Sequence, residues 1–200
     1  MDFVIDEPLV KRLIETVDAG LCHGVGAPRP GEMCVEAAVC FAMGLPHGDE
    51  PTCVDGAVRA FKIALNDSSW SSNAARAKGL RRIAVAQLGS KGKVDPVKFC
   101  TMLAEKTIRV IVPIALMAAA KLCATFADKL EEAAIRCEVE GTAYAANAAA
   151  SYASAAASAA RAASAASDAS DSILSKMADI AVDVLIACGS PGCDWLHLLD

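Results

Sequence analysis

Aromatic side chains are scarce in this chain. Phe, Trp and Tyr supply 4% of its 200 residues although 54% are hydrophobic, so alanine carries much of the apolar content. Alanine forms helix readily but buries little area per residue. Such a core must come from close helix approach or from surface covered between subunits. Basic charge is also in short supply. The net charge is -5 and the pI ≈ 5.2, which argues against a nucleic-acid partner, because such domains are usually basic. Long apolar runs are missing too. The longest, Val110 to Ala120, lies between Arg109 and Lys121. It falls well short of the roughly 20 residues that cross a bilayer, so no membrane span is expected. The opening MDFVIDEPLVKRL has acids where a secretory signal carries basic residues, and a cytoplasmic protein is expected.

Metal motifs are lacking as well. The three histidines, His23, His47 and His197, form no H-x-x-x-H pattern, and no C-x-x-C occurs. CGSPGC near the end has four intervening residues and one nearby histidine, which does not match a zinc site. Neither a metal nor a cofactor is expected. The cysteines number nine, an odd count, and most lie inside helical patterns, which reads as reduced, buried thiols.

What is present reads almost entirely as helix, and the expected fold is an all-α multi-helix bundle. Pro8 suits a first turn, and Leu9, Leu13 and Val17 mark one face up to a stop at Gly20. The glycines and prolines of residues 21–31 make a loop. A second helix is expected from Glu32 to Met43. A third follows LPHGDEP, with Asp49 or Glu50 as its cap and Val54, Val58, Phe61 and Leu65 as its buried stripe. Serines in NDSSWSSN cap a fourth helix over 72–88. Asp95 and Pro96 start a fifth that runs to Phe126 and kinks or splits at Pro113. Residues 143–169 are mostly alanine and serine, which predicts a long helix, or a hairpin broken at Gly141, that packs on a partner helix. The last helix ends at Gly189. Two parts are therefore expected. Residues 1–126 form a helical body, and 127–200 form an Ala-rich segment that packs on it or mediates homo-oligomerisation.

Unusual polar residues concentrate between 22 and 82. Gly24 and Gly26 precede a helix start, where free backbone donors favour an anion. Glu36 is the one charge between Met33 and Met43 and demands a partner if buried; Arg76 is the expected one. His23, His47 and Asp49 sit on the flanking loops, and Asn66 and Trp70 could form a pocket rim, the indole stacking on a ring. Arg81 and Arg82 are further anion-binding candidates, since guanidinium forks match phosphate or carboxylate. These residues point to a non-enzymatic binding protein for an anionic or nucleotide-like ligand. Two alternatives stand beside it: a hydrolase using Cys–His or a metal, and a protein–protein module acting through the Ala-rich helix.

The stretch GEMCVEAAVCFAMGLPHGDEPTCVDGAVRAFKIALNDSSWSSNAARAKGLRRIAVAQLGS, residues 31–90, resembles uncharacterised proteins of bacterial and phage or prophage origin. SPGCDWL and the alanine-serine tract are similar to the same kind of alanine-rich helical protein. The resemblance implies a bacterial or viral setting and brings no established activity. By analogy with small phage proteins, it implies capture of a host protein or a nucleotide signal.

Overall fold

A computed structural model describes residues 4–147 and 167–199. The chain is all-α: the described residues form helices joined by turns, with one isolated bridge, Gly26 to Met33, and no strand. None of their helices is long and apolar enough to cross a membrane. They divide into two compact units, Met1–Cys100 with Ser167–Asp200, and Thr101–Ala166. The division falls earlier than the expected boundary at 126, and the end of the chain returns to the first unit. The reason is packing: the last helix buries its apolar face on the fourth. The long Ala/Ser helix or hairpin expected of the sequence falls largely on residues 148–166, outside the described residues.

In the first unit, α1 (Glu7–Asp18) is capped by Asp6, whose carboxylate accepts from Leu9 N at 2.9 Å, and buries Leu9, Val10, Leu13, Ile14 and Val17. The next helix, α2 (Val35–Ala42), starts three residues later than the expected Glu32. Glu32 belongs instead to a closed loop in which Cys22 N donates to Met33 O and Ala27 N to Glu32 O. Gly26, at φ 72, allows that closure: a Cβ there would overlap the Glu32 carbonyl. Cys34 caps α2 through its sulfur, and all of the helix but Phe41 is buried, as befits a helix whose one charge is Glu36.

The third helix, α3 (Gly56–Asn66), is capped by Asp55 rather than by Asp49 or Glu50, which pair with Arg59 instead. Its buried stripe is Val58, Lys62 and Leu65, whereas Phe61 is only partly covered. The central helix is α4 (Asn73–Ala86), capped by Ser72 as the serine cluster predicts. It packs on α1, on α2, on α8 (Ser167–Ala187) and on a 3-10 turn over Pro191–Leu199. That turn is pinned by Gly192 N to Leu88 O at 2.8 Å and Ser190 Oγ to Ala86 O at 2.6 Å. Gly79 lets the indole of Trp70 lie against α4, for a Cβ at this position would overlap the ring.

A fifth helix, α5 (Pro96–Lys106), begins with Asp95 accepting from Val97 N and Lys98 N. A π-helical turn, Thr107–Ile111, separates it from α6 (Val112–Leu122). The expected disturbance at Pro113 takes this form: the widened turn precedes the residue that lacks a backbone donor. In the second unit α6 packs on α7 (Ala127–Glu140) through Leu116, Ala120, Leu130, Ala134 and Cys137. Gly141 ends α7 in the left-handed region, and the Arg109 guanidinium donates to the carbonyls of Glu138, Val139 and Glu140. A cation on those unpaired carbonyls also complements the helix dipole.

Candidate functional site

Glu36 does not meet Arg76. Its partner is Lys62, whose Nζ stands 3.1 Å from Glu36 Oε1, with both side chains 0% exposed. The pair joins the first turn of α2 to the middle of α3. A carboxylate at a helix start is favoured by the dipole, which eases the burial of Glu36. Neither Glu36 oxygen nor the Lys62 ammonium makes a well-aligned hydrogen bond. Burial pushes the Glu36 carboxyl above the usual range, with Lys62 acting against that shift. Burial likewise pulls the Lys62 ammonium down, opposed by Glu36.

Arg76 fails to reach Glu36 because its fork is spent on the backbone. Nε donates to Asn66 O at 2.8 Å, and Nη1 donates to Leu21 O at 3.0 Å and to Asn73 Oδ1 at 2.8 Å. It therefore closes the end of α3 and ties down the chain after α1. Asn66 is a second junction. Its Oδ1 accepts from Val35 N at 3.2 Å, while Nδ2 donates to Cys22 O and to Asp67 Oδ1. The anion grip built on Arg76 does not form.

The loops on either side of α2 do enclose a cleft, of about 60 Å³, with α3 as its far wall. Of the residues singled out in the sequence, Gly24, Glu36, Asp49 and Asn66 line it; Asp67, which the sequence reading missed, lines it as well. Gly24 N donates to Asp67 Oδ1 at 2.8 Å, so the loop amide is already taken by a carboxylate of the chain. Among the described residues, no cationic side chain lines this cleft. His47 holds the rim from outside through Nε2 on Gly26 O at 3.0 Å, and His23 is exposed. Trp70 is not at the rim: it is 8% exposed and donates Nε1–H to Leu65 O. The nucleotide-binding residues expected in one pocket thus go to separate places.

The remaining two arginines meet in a groove of about 400 Å³ between α4 and the C-terminal turn, lined by Lys78, Arg81, Arg82, Leu196, His197 and Leu199. Arg81 is fixed: Nε and Nη2 donate to the two oxygens of Asp18 at 2.7 and 3.0 Å, and Nη1 to Leu199 O at 2.8 Å. Arg82 donates to Asp179 at 2.7 Å in a half-exposed pair. Lys78 is exposed and meets no carboxylate among the described residues. His197 stacks on Trp195, ring centroids 6.2 Å apart, and its Nδ1 approaches Asp194 O. Helical spacing of 78 and 82 was the available signal for this cationic face; nothing in the sequence announced that His197 would join it.

Burial disfavours the thiolate form at several of the cysteines: it pushes the thiols of Cys22, Cys34 and Cys53 up, and those of Cys40 and Cys193 to about 11. Cys22 Sγ donates to Glu32 O and Gly24 O rather than to a histidine. Among the described residues, no trio of His, Cys, Asp or Glu is placed to hold a metal ion. No protein-family model matches the chain, and neither does any curated protein or solved structure.

Proposed function

We propose that the chain is a binding protein without turnover, taking an anionic ligand of nucleotide size in the groove between α4 and the C-terminal turn. The observation that carries this reading is the meeting of Lys78, Arg81, Arg82 and His197 around a space of about 400 Å³. That volume falls within the roughly 300–1,000 Å³ typical of small-molecule sites, whereas the cleft beside α2 is several-fold too small. The roles divide by existing partners. Arg81 is committed to Asp18 and Leu199 and shapes the wall. Lys78 supplies a cation that no carboxylate among the described residues pairs with, and Arg82 exchanges an exposed carboxylate for the ligand at small cost, because surface ion pairs contribute only about 0–1 kcal/mol. Leu196 and Leu199 offer an apolar surface to a base or ring.

The test is isothermal titration with nucleoside mono-, di- and triphosphates, cyclic nucleotides and pyrophosphate. Wild-type protein binds at least one of them, and affinity falls about tenfold or more in Lys78→Ala and in Arg82→Ala. It also weakens steeply as salt is raised. Absence of binding across the panel ends this reading.

A further inference from the structure

The cleft beside α2 has the opposite chemistry to the groove. Three carboxylates from three segments line it: Glu36 on α2, Asp49 on the following loop, and Asp67 just past α3. Glu36 and Asn66, both buried, form the inner wall, while Asp49, Asp67 and Val25 are partly or more exposed and form the rim. The cations nearby stand behind or outside it. Lys62 approaches Glu36 Oε1 from the protein side, and Arg59 engages Asp49 and Glu50 at the rim. Glu36 Oε2 accepts no hydrogen bond although the residue is 0% exposed and lines the space. A buried carboxylate oxygen without a donor is costly, and a donor arriving through the cleft relieves that cost.

We propose that this cleft is a binding site for the ammonium end of an unbranched alkylamine. Size, charge and lining agree on that class. A space of about 60 Å³ holds a few water-sized groups, enough for one ammonium and its first methylenes but not for a ring system. Three carboxylates line the space and, among the described residues, no cationic side chain does, so a positive charge is favoured over an anion. A metal ion fits less well. The acids are too dispersed to coordinate one together among the described residues, whereas an ammonium needs only hydrogen-bonding reach to each acceptor. Val25, Val35 and Ile63 supply an apolar wall against which methylenes can lie. In the bound state the ammonium donates to Glu36 Oε2 and to the Asn66 or Asp67 oxygens, with the alkyl chain leaving past Val25.

The experiment titrates full-length ¹⁵N-labelled protein with n-butylammonium, 1,4-diaminobutane, potassium chloride and tetramethylammonium, following the amides of Gly24, Val25, Val35 and Asn66. The two primary amines shift these amides saturably. Tetramethylammonium, which has no N–H donor, and potassium do not. Asp67→Asn and Asp49→Asn, which keep side-chain size, weaken amine binding, the former by about tenfold. Glu36→Gln abolishes it, and if that variant fails to fold the two aspartate variants decide alone. Three results each overturn the proposal: no saturable shift with either amine, equal shifts with potassium or tetramethylammonium, or undiminished affinity in both aspartate variants. Groove variants at Lys78 and Arg82 leave amine binding unchanged, which separates this site from the anion reading.

Discussion

Replacing Lys62 by methionine removes the paired countercharge of a fully buried carboxylate. Breaking a buried pair from one side costs about 3–5 kcal/mol, because the survivor is left charged in a low-dielectric interior. For a unit of this size, each kcal/mol moves the melting midpoint by roughly 2–4 °C, so Lys62→Met lowers it by about 6–20 °C. Glu36→Leu acts similarly by stranding the ammonium. The double variant Glu36→Leu, Lys62→Met behaves differently. Neither partner in the wild type makes a well-aligned hydrogen bond, so two apolar side chains of similar volume restore stability to within about 1 kcal/mol of wild type or exceed it. The pH profile has a sign as well. Glu36 binds its proton more tightly folded than unfolded, so wild-type stability falls as pH rises above the ordinary carboxyl value of 4.5. Lys62 binds its proton less tightly when folded, so stability falls as pH drops below 10.5. Both slopes vanish in the double variant. In Lys62→Met the lone carboxyl can protonate, so its deficit is smaller at pH 5 than at pH 8. Urea unfolding followed by circular dichroism at several pH values measures all of this. Additivity of the two single losses in the double variant would refute the reasoning, since contacting partners must couple.

Other outcomes follow from single contacts. Gly79→Ala pushes the Trp70 indole off α4, costs about 1–3 kcal/mol, and shifts tryptophan emission to the red; unchanged emission counts against the packing described. Arg109→Ala frees the last carbonyls of α7, so amide exchange near Glu138–Glu140 accelerates while α1 and α4 are untouched. Arg76→Ala leaves the buried carbonyls of Leu21 and Asn66 short of donors and destabilises by roughly 2–4 kcal/mol, without changing nucleotide affinity in the groove. In native protein a thiol reagent labels exposed Cys100 first, and Cys34, Cys40, Cys53 and Cys137 react only on unfolding.

The helical character was readable because its signals are local. Asp6, Ser72 and Asp95 cap where short polar residues precede apolar periodicity, and Gly20, Gly44 and Gly141 take positive φ where helices stop. The partner of Glu36 was also within reach. Val58, Lys62 and Leu65 follow four-then-three spacing on one face, so a lysine sits in the buried stripe in plain view. Spacing of four and three residues points equally to Phe61 on that stripe, and Arg76 is the expected partner of Glu36 from its charge and its place on the Leu80–Ile83 face of its helix. Charge does not reveal that backbone carbonyls from two segments will claim a guanidinium first. The acidic cleft and the cationic groove depend on which loop ends meet, and no spacing along the chain encodes that.

The chain leaves the first unit at residue 100 and re-enters it at 167, so the intervening stretch is an insertion rather than a second bead on a string. The host body is thus stitched from two segments separated by the insertion. A ribosome must release α8 and the turn after it before α4 gains their covering, so folding of that body waits until residue 199 has been made. A stop codon at the start of α8 would strip α4 of both that helix and the turn after it, leaving α1 and α2 against it, whereas exchanging the insertion for a short flexible bridge would leave every wall of the groove encoded.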